Sequence, residues 1–184
     1  MRTGRLLLYF LIAAFVTLLD QASKSLIQIL LFEGEKVSVL GDLLYFRLVY
    51  NIGGAMGTSI GPSWVYLILT VVALVIIIRY LIMTPGARWH AKTALAMILG
   101  GAVGNLIDRV IYGKVIDFID MDFPDIPFLN IHRWFTYNVA DAAITIGLFI
   151  FIVGVLFKKK DKPGLSEEPQ SSGLLEENGD RTYP

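Results

Sequence analysis

Cysteine is missing altogether from this chain of 184 residues, and histidine nearly so, with only His90 and His132. Disulfides, thiolate metal sites, a cysteine nucleophile and a cysteine-borne lipid of its own are therefore closed to it. Two histidines so far apart cannot found an imidazole metal centre, and both read as interfacial polar residues. Charge is scarce too, at 17% of residues, and balanced, with 16 Lys and Arg against 16 Asp and Glu. With no basic field, and no basic residues interleaved with aromatics, no nucleic acid partner is expected.

What the chain has in excess is apolar surface, with 55% hydrophobic residues and a mean hydropathy of +0.62. That places it in the membrane class. Four runs approach the ~20 residues a bilayer crossing needs. They cover about residues 6–31, 63–83, 91–111 and 138–157. The first is interrupted by Asp20, Gln21, Ser23 and Lys24. Those residues offer no small-residue cleavage site, and apolar sequence resumes at Leu26, so the run is expected to be a retained helix. Pro62 is suited to the first turn of the second.

Arg2 and Arg5, then Arg79, Arg88 and Lys92, then Lys158, Lys159, Lys160 and Lys162 all fall on one side if four helices cross. The positive-inside rule makes that side cytoplasmic, with both termini. The outer side then receives residues 33–61 and 112–137. In the first of these, Lys36–Leu40 and Leu43–Tyr50 have strand character around the turn pair Gly41-Asp42. The second carries Phe123, Phe128, Trp134, Phe135 and Tyr137, either an aromatic belt at the headgroups or a lid. The expected fold is a membrane all-α, four-transmembrane-helix bundle with a small extracytoplasmic β-sheet and an aromatic outer loop. Residues 1–157 form the membrane domain. Residues 158–184, rich in Glu, Ser, Pro and Gly, form a disordered cytoplasmic tail.

Against this background the polar residues stand out. Asp117 and Asp141 lie at the edges of apolar segments, where an unused carboxylate costs several kcal/mol. Brought together, two carboxylates can share one proton and activate water. Asp117 competes for this role with Asp120, Asp122 and Asp125, which fit a solvated loop better. Asp20 and Lys24, spaced i, i+4, can pair with each other or shape a site. Gly100 and Gly104 let a neighbouring helix approach, and Asn105 and Arg109 share a face, with Arg109 free to pair with Asp108 or another carboxylate. Asn138 suits a helix N-cap, a role that leaves Asp141 one turn later unexplained. Asn51 precedes the glycine pair Gly53-Gly54, which gives the backbone freedom.

Five segments together resemble the prolipoprotein signal peptidases, or signal peptidase II. They are Asp20-Gln21-Ala22-Ser23-Lys24, Asn51-Ile52-Gly53-Gly54-Ala55-Met56, Gly100–Arg109, Val115-Ile116-Asp117-Phe118 and Trp134–Asp141. They keep the family's order and spacing over about residues 5–157. Phe135 stands where the family usually has Pro, and Tyr137 where it usually has Phe. The resemblance implies an aspartic endopeptidase of the bacterial inner membrane with Asp117 and Asp141 as its catalytic pair. Asn51, Asn105, Arg109 and Asn138 would line or support the site, with Gly53 and Gly54 beside them, and Asp20 and Lys24 would form the polar cluster of the first helix. It implies cleavage of diacylglyceryl-modified prolipoproteins on the N-terminal side of the lipidated cysteine, near the outer face. Membrane lipids and the lipidated substrate are the expected partners, for a monomer without metal or cofactor. A transporter subunit would put its polar groups near the midplane, often in matching halves. A structural membrane protein would use the charged residues only as ion pairs, and a carboxylate-metal hydrolase would respond to chelators.

Overall fold

The computed structural model describes residues 2–53, 61–122 and 135–157. Gly54, Asp125, His132, most of the aromatic loop and the tail lie outside the described residues. Helix α1 spans Arg2–Leu30, α2 Ser63–Met83, α3 Trp89–Tyr112 and α4 Val139–Leu156. All four are long and apolar enough to cross a membrane. Leu11, Phe15, Leu18, Ile76 and Phe149 are exposed, as side chains facing lipid tails would be.

The polar residues that interrupt the first apolar run do not break α1, which runs as the one helix expected through Asp20, Gln21 and Lys24. These side chains are satisfied by neighbours across the bundle, so the helix has no polar group forcing it open. Pro62 sits at the N-cap of α2, one position ahead of the expected first turn, in extended backbone. Helix α3 is the central one, packed by the other three. Its close packing rests on missing side chains. A Cβ on Gly100 would come within 2.5 Å of the Ala13 carbonyl oxygen, and one on Gly104 within 2.5 Å of Asp20 Oδ2. The small-residue pair thus lets α1 lie against α3 and seats a carboxylate between them.

Three strands, β1 (Lys36–Leu40), β2 (Leu44–Asn51) and β3 (Val115–Met121), form an antiparallel sheet in the order β1-β2-β3. The sequence signals the first two strands, whereas residues 115–121 fall in the outer segment after the third span, where only loop was expected. That expectation is corrected: β3 is a strand buried over Val115–Phe118, so it lacks the apolar-polar alternation by which a half-exposed strand is recognised. Ile27 of α1 packs with Leu48, Ile116 and Phe118, which seats the sheet on the end of α1. Asp120, expected in solvent, is fully buried on β3, and Lys36 Nζ approaches its Oδ2 at 3.9 Å.

A bulge in β2 sets the phase of the sheet. Phe46 pairs with Ile119 but Val49 pairs with Asp117, so Arg47 and Leu48 together face Phe118. The extra residue flips the face on which the rest of β2 projects. Val49 and Asn51 consequently share a face with Asp117; without the bulge Leu48 and Tyr50 would take their place.

Candidate active site

The polar ends of α1 and α3, the start of α4 and strand β3 meet at one end of the bundle. Asn138 is the joint. Its side-chain oxygen accepts from Asp141 N at 2.9 Å, and its own N–H donates to Asp141 Oδ2 at 3.3 Å. This capping box ends the idea that a cap explains Asn138 alone, because Asp141 is its reciprocal half. The Asn138 amide also donates to Asp117 Oδ1 at 2.8 Å, and it lies 3.1 Å from both Ile116 O and Asn105 Oδ1. One asparagine thus holds both carboxylates.

Two further amides complete the surround. Asn51 Nδ2 donates to Asp117 Oδ2 at 3.0 Å, and Asn105 Nδ2 to Asp141 Oδ1 at 2.8 Å. Burial raises the affinity of Asp117 for its proton, and the Asp141 carboxylate raises it further. The amides of Asn51 and Asn138 and the Lys24 charge oppose this, and the balance leaves Asp117 pushed up to about 7. Asp117 is 2% exposed, so loss of its hydration dominates.

Behind the amides lies a buried ionic knot. Lys24 Nζ is 2.7 Å from Asp20 Oδ2 and 2.7 Å from Asp108 Oδ2, and it donates to Asn105 Oδ1 at 3.0 Å. Gln21 donates to Asp108 Oδ1 at 2.9 Å, Asp20 Oδ1 accepts from Ala140 N at 2.9 Å, and Asp108 Oδ2 accepts from Ile116 N at 3.1 Å. The knot ties α1 to α3, α4 and β3. Asp20 and Lys24 are 0% and 1% exposed, so neither can touch a substrate as the structure stands. Asp108, singled out only as a possible partner of Arg109, belongs to Lys24. Arg109 makes no ion pair among the described residues. Its guanidinium donates long bonds to Asn105 O at 3.4 Å and Gly53 O at 3.5 Å and lies 5.8 Å from the Tyr66 ring centre.

A cavity of about 590 Å³ opens beside Asp117, lined by Asn51, Gly53, Pro62, Gly113 and Phe135 among others. Gly53 N donates to Asn51 Oδ1 at 2.8 Å, so the turn after β2 also orients that amide. Among the described residues, no three His, Cys, Asp or Glu side chains form a group that could hold a metal. Phe135 is exposed at the cavity, and Tyr137 pairs with Ile119, adding a short bridge to the outer edge of β3. Sequence reasoning missed Gln21 as a member of this cluster and gave Asp108 the wrong partner. The available signals were the i, i+3 spacing of Gln21 and Lys24 on α1 and of Asn105 and Asp108 on α3.

The comparisons with known proteins point to one family. The family model of signal peptidase (SPase) II matches residues 12–157. The lipoprotein signal peptidase of Brevibacillus brevis is 36% identical over 152 residues, covering 83% of this chain and 97% of that protein. That of Shouchella clausii is 35% identical over 154 residues, covering 83% and 95%. A bacterial membrane enzyme solved by the in meso method at 2.3 Å resolution superposes with a TM-score of 0.71 at 30% identity, covering 84% of this chain and 93% of the other. Matched by that family model over residues 12–157 and by relatives 36% and 35% identical, the chain belongs to the signal peptidase II family.

Proposed function

We propose that this protein is an aspartic endopeptidase that removes the signal peptide from diacylglyceryl-modified prolipoproteins, with Asp117 and Asp141 as its catalytic pair. The observation that carries the assignment is Asn138, bonded to Asp141 through both backbone and side chain and to Asp117 through its amide. Two carboxylates so placed share one proton near neutral pH, and their titration belongs to the pair. One carboxylate takes a proton from water as the water oxygen attacks the scissile carbonyl carbon. The other, protonated, donates to the carbonyl oxygen as charge builds on it. Collapse of the tetrahedral intermediate breaks the C–N bond and passes a proton to the departing amine of the lipidated cysteine. This chain has no cysteine, so the lipidated residue is the substrate's.

The cavity beside Asp117 is the place for the unwound peptide, and the neighbouring lipid phase for its glyceride. Asn51, Asn105, Arg109 and Asn138 hold the carboxylates or bind peptide carbonyls. The positive-inside pattern puts both termini in the cytoplasm and the site near the outer face of the bacterial inner membrane. The enzyme works as a monomer.

The test is cleavage of a diacylglyceryl-modified prolipoprotein by purified wild type, Asp117→Asn, Asp141→Asn and Asp120→Asn, with and without chelator. Loss of at least a thousandfold is expected for the first two variants, with folding retained. Asp120→Asn should still cut, and chelator should change nothing. Near wild-type cleavage by either dyad variant would sink the mechanism, and chelator-sensitive activity would move the chemistry to a metal.

A further inference from the structure

The buried knot behind the carboxylates is oriented, and the orientation bears on which aspartate holds the proton. Lys24 offers three N–H groups and has three acceptors, Asp20 Oδ2, Asp108 Oδ2 and Asn105 Oδ1. An ammonium only donates, so Asn105 must turn its oxygen to Lys24 and its NH₂ to Asp141. The reversed amide would set NH₂ against ammonium and oxygen against carboxylate. Asn138 and Asn51 are locked by the same logic, because their oxygens accept from the backbone N–H groups of Asp141 and Gly53. Each of the three amides therefore faces the dyad with donors. None can accept a hydrogen from a protonated carboxyl, so the shared proton points to the opposite carboxylate or into the cavity.

The two aspartates are not equivalent within this frame. Asp141 lies in the first turn of α4, where the helix end favours negative charge, and it accepts from the backbone N–H of the N-cap. Its side-chain donor, Asn105, is polarised by a buried cation. Asp117 lies in a strand with no such helix end, is almost wholly buried, and accepts from Asn51 and Asn138, whose oxygens accept from the backbone N–H groups of Gly53 and Asp141. Among the described residues, the titratable groups around the pair are Asp20 and Lys24 from α1, Tyr66 from α2 and Asp108 and Arg109 from α3.

Resting on the proposed dyad, we infer that Asp117 carries the resting proton and that Lys24, acting through Asn105, holds Asp141 as the carboxylate that takes the proton from water. Lys24 is then a positioning residue, since it is buried and its three N–H groups are taken by Asp20, Asp108 and Asn105. Asp117 is the acid that donates to the scissile carbonyl oxygen. The oriented amides aim that proton at the cavity.

The experiment is the pH profile of kcat/KM in detergent with a diacylglyceryl-modified prolipoprotein, for wild type and Lys24→Met. A second variant, Asp20→Asn with Lys24→Met and Asp108→Asn, removes all three charges while leaving oxygens to accept from Ala140 and Ile116. It guards against misfolding from two stranded carboxylates. Lys24→Met should move the acid limb up by about one pH unit, a tenfold loss below it; the triple variant, which also removes two negative charges, should move it up by less, and both should leave the basic limb in place. Lys24→Met added to Asn105→Ala should move it no further. An equal shift of both limbs, an additive effect on Asn105→Ala, or unmoved limbs with a lower Tm would each overturn the relay. Infrared spectra of the dyad variants read the proton directly. The protonated-carboxyl band near neutral pH should vanish in Asp117→Asn and persist in Asp141→Asn, and the reverse would overturn the assignment. If both dyad variants instead cleave at the wild-type rate, the protease reading itself fails, independently of the relay.

Discussion

At the scale of single residues, the site holds a stability cost that can be measured apart from catalysis. The proton affinity of Asp117 is raised from the model-peptide 3.8 to about 7. A raised carboxyl favours the fold fully below the unfolded value, and that contribution is lost as pH climbs through the folded one. The loss therefore falls between about pH 4 and pH 7, and amounts at most to something on the order of 4 kcal/mol. Asn at this position cannot titrate. The Tm of Asp117→Asn should gain on that of wild type as pH rises through this window, and a constant difference would show that Asp117 carries no such cost. Asn138 separates two roles in the same way. Asn138→Ser keeps an oxygen for Asp141 N but loses the amide to Asp117, whereas Asn138→Ala loses both. Cleavage should fall about a hundredfold in either, while Ala alone should lose the further ~1 kcal/mol of the cap. Equal Tm values in the two variants would remove the capping role.

At the scale of elements, the contacts between α1 and α3 and the phase of β2 decide where the groups point. Gly104 leaves room for Asp20 Oδ2, the atom that holds Lys24. Gly104→Ala should cost about 1–3 kcal/mol as a steric insertion. It should also slow cleavage, because Lys24 and Asn105 shift with the helix. A variant as stable and as active as wild type would show that the helices part freely. The helices, the first two strands and the glycine pair were legible because hydrophobic runs, turn residues and small-residue spacing are local signals. Strand β3 was not, since its burial removes the alternation, and its pairing partner lies more than sixty positions earlier in the chain. The bulge was illegible for a related reason: nothing in Phe46-Arg47-Leu48-Val49 marks an extra residue until β3 is laid beside it.

At the scale of the whole molecule, the polar groups gather at the end of the bundle that carries the sheet. In the proposed topology, drawn from the distribution of Lys and Arg, that end faces outside, and the absence of cysteine makes this simple to probe. Asp42→Cys, in the exposed turn beside β1, should react with a membrane-impermeant maleimide in cells with a permeable outer envelope. Gly86→Cys, in the turn between α2 and α3, should react only after lysis. The opposite pattern would invert the topology and place the cavity at the cytoplasmic face.

The amino-acid sequence by itself determined the membrane class, the four spans, the resemblance to one peptidase family and the short roll of polar residues worth watching. It could do so because burying charge in hydrocarbon is costly, and each such residue stands out against its own apolar neighbours. Tertiary structure alone decided who meets whom. It paired Asp108 with Lys24 and left Arg109 to backbone carbonyls, buried Asp120 on a strand, and placed one asparagine between Asp117 and Asp141. Hydrogen bonds are directional and reach only about 3 Å. Their partners are fixed by the packing of helices and the register of strands, which no single segment of the chain contains.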